Sequence, residues 1–126
     1  MALITRAGQY GGGNPLAGNL LTLSATGNTD VVTIPMKYQI YQAAGISLLV
    51  NLTSGASLTA GVQVSNDPLA YTNPSTALWN FHDTLQNLTA SKNSSIIYPV
   101  YALRLNCSAW TSGTVTLQIG IFDYSL

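Results

Sequence analysis

The 126-residue chain carries only four cationic and four anionic side chains, so its formal net charge is zero. A typical soluble domain is about a quarter charged, and phosphate-rich partners are bound through clusters of Lys and Arg. The composition therefore predicts no direct nucleic-acid binding and no association with a membrane. No apolar run reaches the roughly 18 residues of a spanning helix, and no secretory leader is recognised, so we expect synthesis in a cytoplasm.

Residues 1–18 are predicted to form a flexible arm, because five glycines and a proline give this stretch too much backbone entropy for a regular element. Such an arm can become ordered across a neighbouring subunit. The glycine run lacks the preceding strand, following helix and Lys-Ser/Thr of a phosphate cradle, so its predicted role is flexibility. We expect intermolecular contacts from Gln9, Tyr10, Gly11, Gly12, Gly13, Asn14 and Pro15.

From residue 19 onward, apolar and polar side chains alternate with period two, which is typical of strands with one buried face. Long strands are predicted at 46–52, 58–65, 101–108 and 114–122. In the last two, the apolar face carries Leu103, Leu105, Leu117 and Ile119, and Arg104 lies on the opposite face. A short turn separates the first two of these strands and another separates the last two, so each pair is predicted to be a hairpin. Shorter strands are predicted at 20–24, 31–34, 37–42 and 96–100.

About eight short strands without a helical stretch predict an all-β fold. We expect an antiparallel β-sandwich of about eight strands, jelly-roll-like, over residues 19–126, with an extended N-terminal arm before it. The long connection at 66–93 is rich in turn-forming residues. Within it, Asn73 and Pro74 predict one short helix or turn over residues 74–79.

Few residues suit catalysis. His82 and Asp83 are adjacent, but neighbouring side chains on an extended strand point to opposite faces, no serine lies in a G-x-S-x-G elbow, and no glutamate is present. The lone Cys107 in an apolar strand pattern predicts a buried thiol, and Asp67 and Asp83 fit turn caps better than calcium ligands. We therefore expect a protein that is not an enzyme and uses no metal or cofactor.

The aromatic residues leave two interpretations open. Trp79 and Phe81 are expected to close the open end of the sandwich, because burial of large rings is favourable. Alternatively, an exposed aromatic platform would stack on sugar rings. A coplanar, exposed arrangement of Trp79, Trp110 and Tyr71 on one sheet face would favour a glycan-binding module.

Five segments carry a resemblance to known proteins: VQVSNDP at 62–68, ALWNFHD at 77–83, LTA at 88–90, YPVYALRLN at 98–106 and SGTVTL at 112–117. Through them, the last two-thirds of the chain resembles small structural proteins encoded among the head genes of tailed bacteriophages. Proteins of this kind include capsid decoration, or cement, proteins with a jelly-roll fold.

The resemblance implies a non-enzymatic virion structural protein on the capsid surface that binds and stabilises the assembled phage head. Its implied partners are the major capsid protein and other copies of itself, as a homo-oligomer that is a dimer or a trimer. The alternatives are a tail or head-fibre component and a glycan-binding β-sandwich module. The resemblance supplies no catalytic residue.

Overall fold

The computed structural model describes residues 2–3, 20–34, 46–96 and 99–121. The predicted contact residues 9–15 and the predicted strand at 37–42 lie outside the described residues.

The described part of the chain contains strands and turns but no helix, so the all-β prediction is confirmed and no helix there could cross a membrane. The strands are β1 (Ala2–Leu3), β2 (Leu20–Leu23), β3 (Gly27–Asn28), β4 (Val32–Thr33), β5 (Ile46–Leu52), β6 (Ser57–Ser65), β7 (Asn80–Phe81), β8 (Lys92–Ser95), β9 (Ala102–Ser112) and β10 (Val115–Ile121).

The strands form two sheets. Sheet I has the order β2-β10-β5-β8, and sheet II has the order β1-β4-β9-β6-β7, with β3 also pairing with β9. Apart from the parallel pair of β1 with β4, the strand pairs between described residues are antiparallel. Without β1 and β3, the eight remaining strands pass between the sheets in the order of a jelly roll, which is two nested Greek keys. The predicted fold class is confirmed.

The hydrophobic core lies between the two sheets, and the alternation predicted for the last two strands is confirmed. Gln118 of β10 and Arg104 of β9 lie outside the core, whereas the residues on either side of them are buried. The side chains of these two strands that lie in the core between the sheets, each at most 1% exposed, are Leu103, Leu105, Cys107, Val115, Leu117 and Ile119. Removal of this apolar surface from water is the main contribution to stability.

Both predicted hairpins are wrong. β5 pairs with β10 and β8, and β6 pairs with β9 and β7. The turn at 53–56 therefore carries the chain from sheet I to sheet II, and the turn at 113–114 carries it back. Alternation identifies the buried face of a strand, but it does not identify the neighbouring strand, and a short turn suits either connection.

The shorter elements differ from the predictions in three places. β8 ends at Ser95, one residue before the predicted strand at 96–100, and Ile96 is buried in the core. β1, β3 and β7 were not predicted, because a two-residue pairing leaves no periodicity in the sequence. The prediction that residues 1–18 hold no regular element is therefore wrong at Ala2–Leu3, which pairs with β4 of the same chain. The predicted helix or turn at 74–79 is a turn, closed by the amide of Thr76 donating to the carbonyl of Asn73 at 3.2 Å.

The two turns that cross between the sheets pack against each other. The amide of Thr53 donates to the carbonyl of Thr114 at 3.0 Å, and the amide of Thr114 donates to Thr53 Oγ1 at 3.1 Å. Gly113 has φ of +95°, and a Cβ placed there would lie 2.4 Å from the Cβ of Ala56. This corner, formed by Thr53, Ala56, Gly113 and Thr114, accepts no side chain at position 113.

A comparison of Gly113 with Gly55 separates the steric cost of a side chain at position 113 from the cost of backbone strain. Both have positive φ, so Gly→Ala at either position should cost about 1–2 kcal/mol in backbone strain, but the Cβ site at Gly55 is open. Gly113→Ala should cost roughly 1–3 kcal/mol more, because it overpacks the corner. Urea unfolding of both variants measures the difference.

A double-mutant cycle with Ala56→Gly is the control for this prediction, because removing the opposing methyl group should recover part of the loss at Gly113. Equal losses for the two glycine variants, or no coupling with Ala56→Gly, would contradict the close packing of the corner.

Candidate functional site

The connection between β6 and β8 is organised around Asp67. Its Oδ1 accepts a hydrogen bond from the amide of Leu69 at 2.9 Å, and its Oδ2 accepts one from the amide of Leu78 at 3.0 Å. These amides, that of Leu69 first, hold the pKa of the Asp67 carboxyl below its ordinary value, because they stabilise the ionised form. The predicted turn-capping role of Asp67 is confirmed.

The Asp67 carboxylate binds the backbone amides of two exposed leucines. Leu69 is 50% exposed and Leu78 is 77% exposed, and their backbone amides bind the same carboxylate. We call Leu69 and Leu78 the leucine pair. Two large apolar side chains are therefore exposed on one piece of backbone that the carboxylate fixes.

His82 is buried, and it joins the two sheets rather than facing solvent. The amide of Thr84 lies 3.2 Å from Nδ1, so Nδ1 accepts, and Nε2 donates to the carbonyl of Ser95 in β8 at 2.8 Å. These two bonds assign the neutral tautomer with the proton on Nε2. The Nε2 bond therefore holds the loop after β7 to sheet I, and the Nδ1 bond lies within that loop.

The expectation that His82 and Asp83 point to opposite faces is wrong. Asp83 Oδ1 lies 3.3 Å from His82 Nδ1. The strand β7 ends at Phe81, so strand alternation does not apply to the next two residues. The carboxylate of Asp83 is 61% exposed, and no backbone amide among the described residues binds it, so its predicted capping role is not found there.

A groove of about 640 Å³ lies on the outer face of sheet II. Its walls are the segment after β3 and the loop after β6, and its floor includes Arg104, which alternates in β9 with the core residues on either side. We call it the Arg104 groove. Its principal polar and aromatic lining residues are Asn28, Asp30, Tyr71, Ser75, Trp79 and Arg104.

The guanidinium of Arg104 is fixed at two points. Its Nε donates to Gln63 Oε1 at 2.7 Å, and its Cζ lies 4.1 Å from the centre of the Trp79 ring. The indole N–H of Trp79 in turn donates to the carbonyl of Pro74 at 3.0 Å. Partial burial lowers the pKa of Arg104, because desolvation disfavours its charge. Its two Nη groups make no hydrogen bond within the described part of the chain.

Trp79 and Phe81 do not close the open end of the sandwich as expected. Trp79 packs on the outer face of sheet II, against a buried cluster of Val31, Ala70 and Ala102. Phe81 is 40% exposed and lies over Gly61, where a Cβ would come within 3.0 Å of its ring. The aromatic rings instead hold the loop after β6 to the sheet.

The three rings considered for a sugar platform do not lie together. Tyr71 and Trp79 line the Arg104 groove, whereas Trp110 lines a different depression and donates its indole N–H to the carbonyl of Gly113 at 2.9 Å. Tyr71 is 39% exposed, so it contributes the accessible ring of the groove. Arg104 covers one face of Trp79.

The remaining predicted residues are placed as follows. Cys107 is buried and its thiol donates to the carbonyl of Ala109 at 3.3 Å, so the predicted buried thiol is confirmed. Within the described ranges, no group of three or more His, Cys, Asp or Glu side chains could hold a metal ion. The predicted contact residues of the arm lie outside those ranges.

Sequence reasoning did not find the Arg104 groove. Arg104 was assigned to the polar face of its strand, but the groove also needs Gln63 opposite it in β6 and Trp79 from the following loop. A lone arginine on the polar face of a strand is a weak indication of a binding site. The groove could have been predicted only if the pairing of β6 with β9 had been known.

The protein is thus a jelly-roll β-sandwich with a polar groove on one outer face. Comparisons of the chain with protein-family models, with curated proteins and with solved structures found no match.

Asp67→Asn should destabilise the protein at neutral pH, because the neutral amide cannot accept both backbone hydrogen bonds on equivalent oxygens. A carboxyl with a depressed folded-state pKa contributes stability above its unfolded pKa and loses it as pH falls through the folded pKa. The difference between wild type and Asp67→Asn should therefore shrink from about pH 7 to about pH 2 in urea unfolding.

Asp30→Asn is the matched control, because the structure shows no hydrogen bond to the Asp30 carboxylate among the described residues. It should leave the acid dependence of stability close to that of wild type. A constant difference between wild type and Asp67→Asn at all pH values would contradict the role of the charge.

Proposed function

We propose that this chain is a structural protein of a virion, a decoration protein that binds the assembled capsid of a tailed bacteriophage from outside and stabilises it. The observation that carries the proposal is the leucine pair, held rigidly on the surface of an almost uncharged jelly-roll body. The resemblance of the sequence to phage head proteins gives the partner, the major capsid protein.

The leucine pair suits docking for an energetic reason. Burying a leucine that is otherwise exposed contributes about 1.5–3 kcal/mol. Because the Asp67 carboxylate already fixes the backbone of Leu69 and Leu78, little further backbone entropy is lost when a partner covers them. The leucine pair therefore adds to the affinity of the larger contact that surrounds it.

The low charge of the protein suits permanent burial in an assembly. Charged groups taken out of water without a partner are costly, and this chain has only eight of them. Its other polar surface groups are largely hydroxyls and amides, whose hydrogen-bonding capacity can be met by groups of the partner across an interface. Such an interface depends little on ionic strength.

The effect on the shell follows from mass action. A protein that binds the assembled lattice better than free subunits shifts the equilibrium toward the lattice. Copies of this chain would sit as dimers or trimers on symmetry axes of the capsid. The part of the predicted arm that follows β1, with its contact residues 9–15, would extend over neighbouring subunits. A tail or head-fibre component would instead form an axial assembly.

The proposal predicts that the purified protein binds preassembled shells that lack it and raises the temperature at which they rupture, at both low and high salt. Leu78→Ser should weaken this binding about tenfold or more, because it removes a buried apolar contact. Quantitative sedimentation of shells with bound protein measures the affinity, and thermal melting of the shells measures the stabilisation.

Leu20→Ser is the matched control, since Leu20 is 61% exposed on β2 of sheet I, away from the Asp67 loop. Both substitutions change exposed side chains, so the free proteins should melt like wild type. Shells that gain no stability, binding abolished by moderate salt, or equal weakening by both variants would contradict the proposal.

A further inference from the structure

The assembly role makes no use of the Arg104 groove, where a fixed cation and an exposed carboxylate line one depression without pairing with each other. We infer that this groove is a binding site for a neutral saccharide. The inference does not depend on the proposed capsid role, because every residue that carries it belongs to one copy of the chain.

The guanidinium of Arg104 is a prepared hydrogen-bond donor. Gln63 takes its Nε and the Trp79 ring takes one of its faces, which leaves the two Nη groups unpaired within the described part of the chain. A side chain restrained at two points has already lost most of its rotamer freedom. A ligand that accepts from the Nη groups therefore gains hydrogen bonds at little entropic cost.

The carboxylate of Asp30 is a complementary acceptor in the same groove. Asp30 is exposed, and no hydrogen bond or ion pair to its side chain is found among the described residues. Since the two groups do not reach each other, a ligand between them must both donate and accept. Hydroxyl groups do this, because each offers one O–H donor and two lone pairs.

The balance of charge selects a neutral ligand. The charges of Arg104 and Asp30 cancel. The carboxylate would repel an anionic ligand, and the guanidinium would repel a cationic one. Phosphate-rich ligands also require several cations together, and Arg104 is the one cation among the described residues that line the groove. Its volume of about 640 Å³ lies within the range of about 300–1,000 Å³ typical of small-molecule sites.

Tyr71 supplies the remaining feature of a saccharide site. Its ring is 39% exposed at the groove and is free to lie against the C–H face of a pyranose. Trp79 acts as a positioning residue, because its indole N–H is bound to Pro74 and Arg104 covers its ring. The aromatic contact and the polar contacts thus come from different residues.

The chain offers a direct reporter of binding. It has two tryptophans, so Trp110→Phe leaves Trp79 in the groove as the sole source of indole emission. This protein is titrated with methyl glucoside, methyl galactoside, methyl mannoside and N-acetylglucosamine. Nitrogen–proton correlation spectra record the backbone amides of Asp30 and Tyr71 in parallel, so binding without a change in emission is still detected.

We expect saturable binding of at least one of these sugars. Asp30→Asn should weaken it about tenfold or more, because it removes a charged acceptor. Asp83→Asn makes the same chemical change at an exposed carboxylate outside the groove, and it should leave the affinity unchanged. Neither carboxylate supports the core, so folding should be retained in both variants.

Three results would overturn the inference. The first is no saturable response to any of the four sugars in either measurement. The second is equal weakening by Asp30→Asn and Asp83→Asn. The third is binding of N-acetylneuraminic acid or inorganic phosphate without binding of a neutral sugar, which would make the groove an anion site. Each result leaves the test of shell binding through the leucine pair unaffected.

Discussion

The close contact of Gly113 with Ala56 is the constraint on which the arrangement of the sheets depends. Both turns that cross between the sheets meet at this contact, one carrying the chain into sheet II and the other carrying it back. Because the crossings lie together, β5 and β10 become neighbours in sheet I, and β6 and β9 become neighbours in sheet II. These two pairs form the centre of each sheet, and the other strands are added at their edges.

The central pair of sheet II also creates the candidate site. Its register places Gln63 opposite Arg104 on the outer face, while the alternate residues enter the core. The loop that follows β6 then folds back onto this face, where Trp79 covers the guanidinium and Asp67 fixes the leucine pair. One loop therefore carries the exposed leucine pair and forms one wall of a polar groove.

The sequence predicts local burial well and long-range pairing poorly, for a physical reason. Leu103, Leu105, Leu117 and Ile119 were assigned to the core correctly, because period-two alternation is a property of each strand by itself. The pairing of β5 with β10 depends on where two distant segments meet, and a turn of a few residues does not encode it. The Arg104 groove depends on that pairing, so it could not be predicted.

The central claim is that this protein functions by docking a rigid apolar surface onto a capsid lattice. A density map of particles that carry the chain, at a resolution that shows side chains, tests this claim most directly. The account predicts that Leu69 and Leu78 are buried against a capsid subunit, with the Asp67 loop unchanged. A map in which the leucine pair faces solvent, or in which the chain forms an axial tail or fibre assembly, would contradict it.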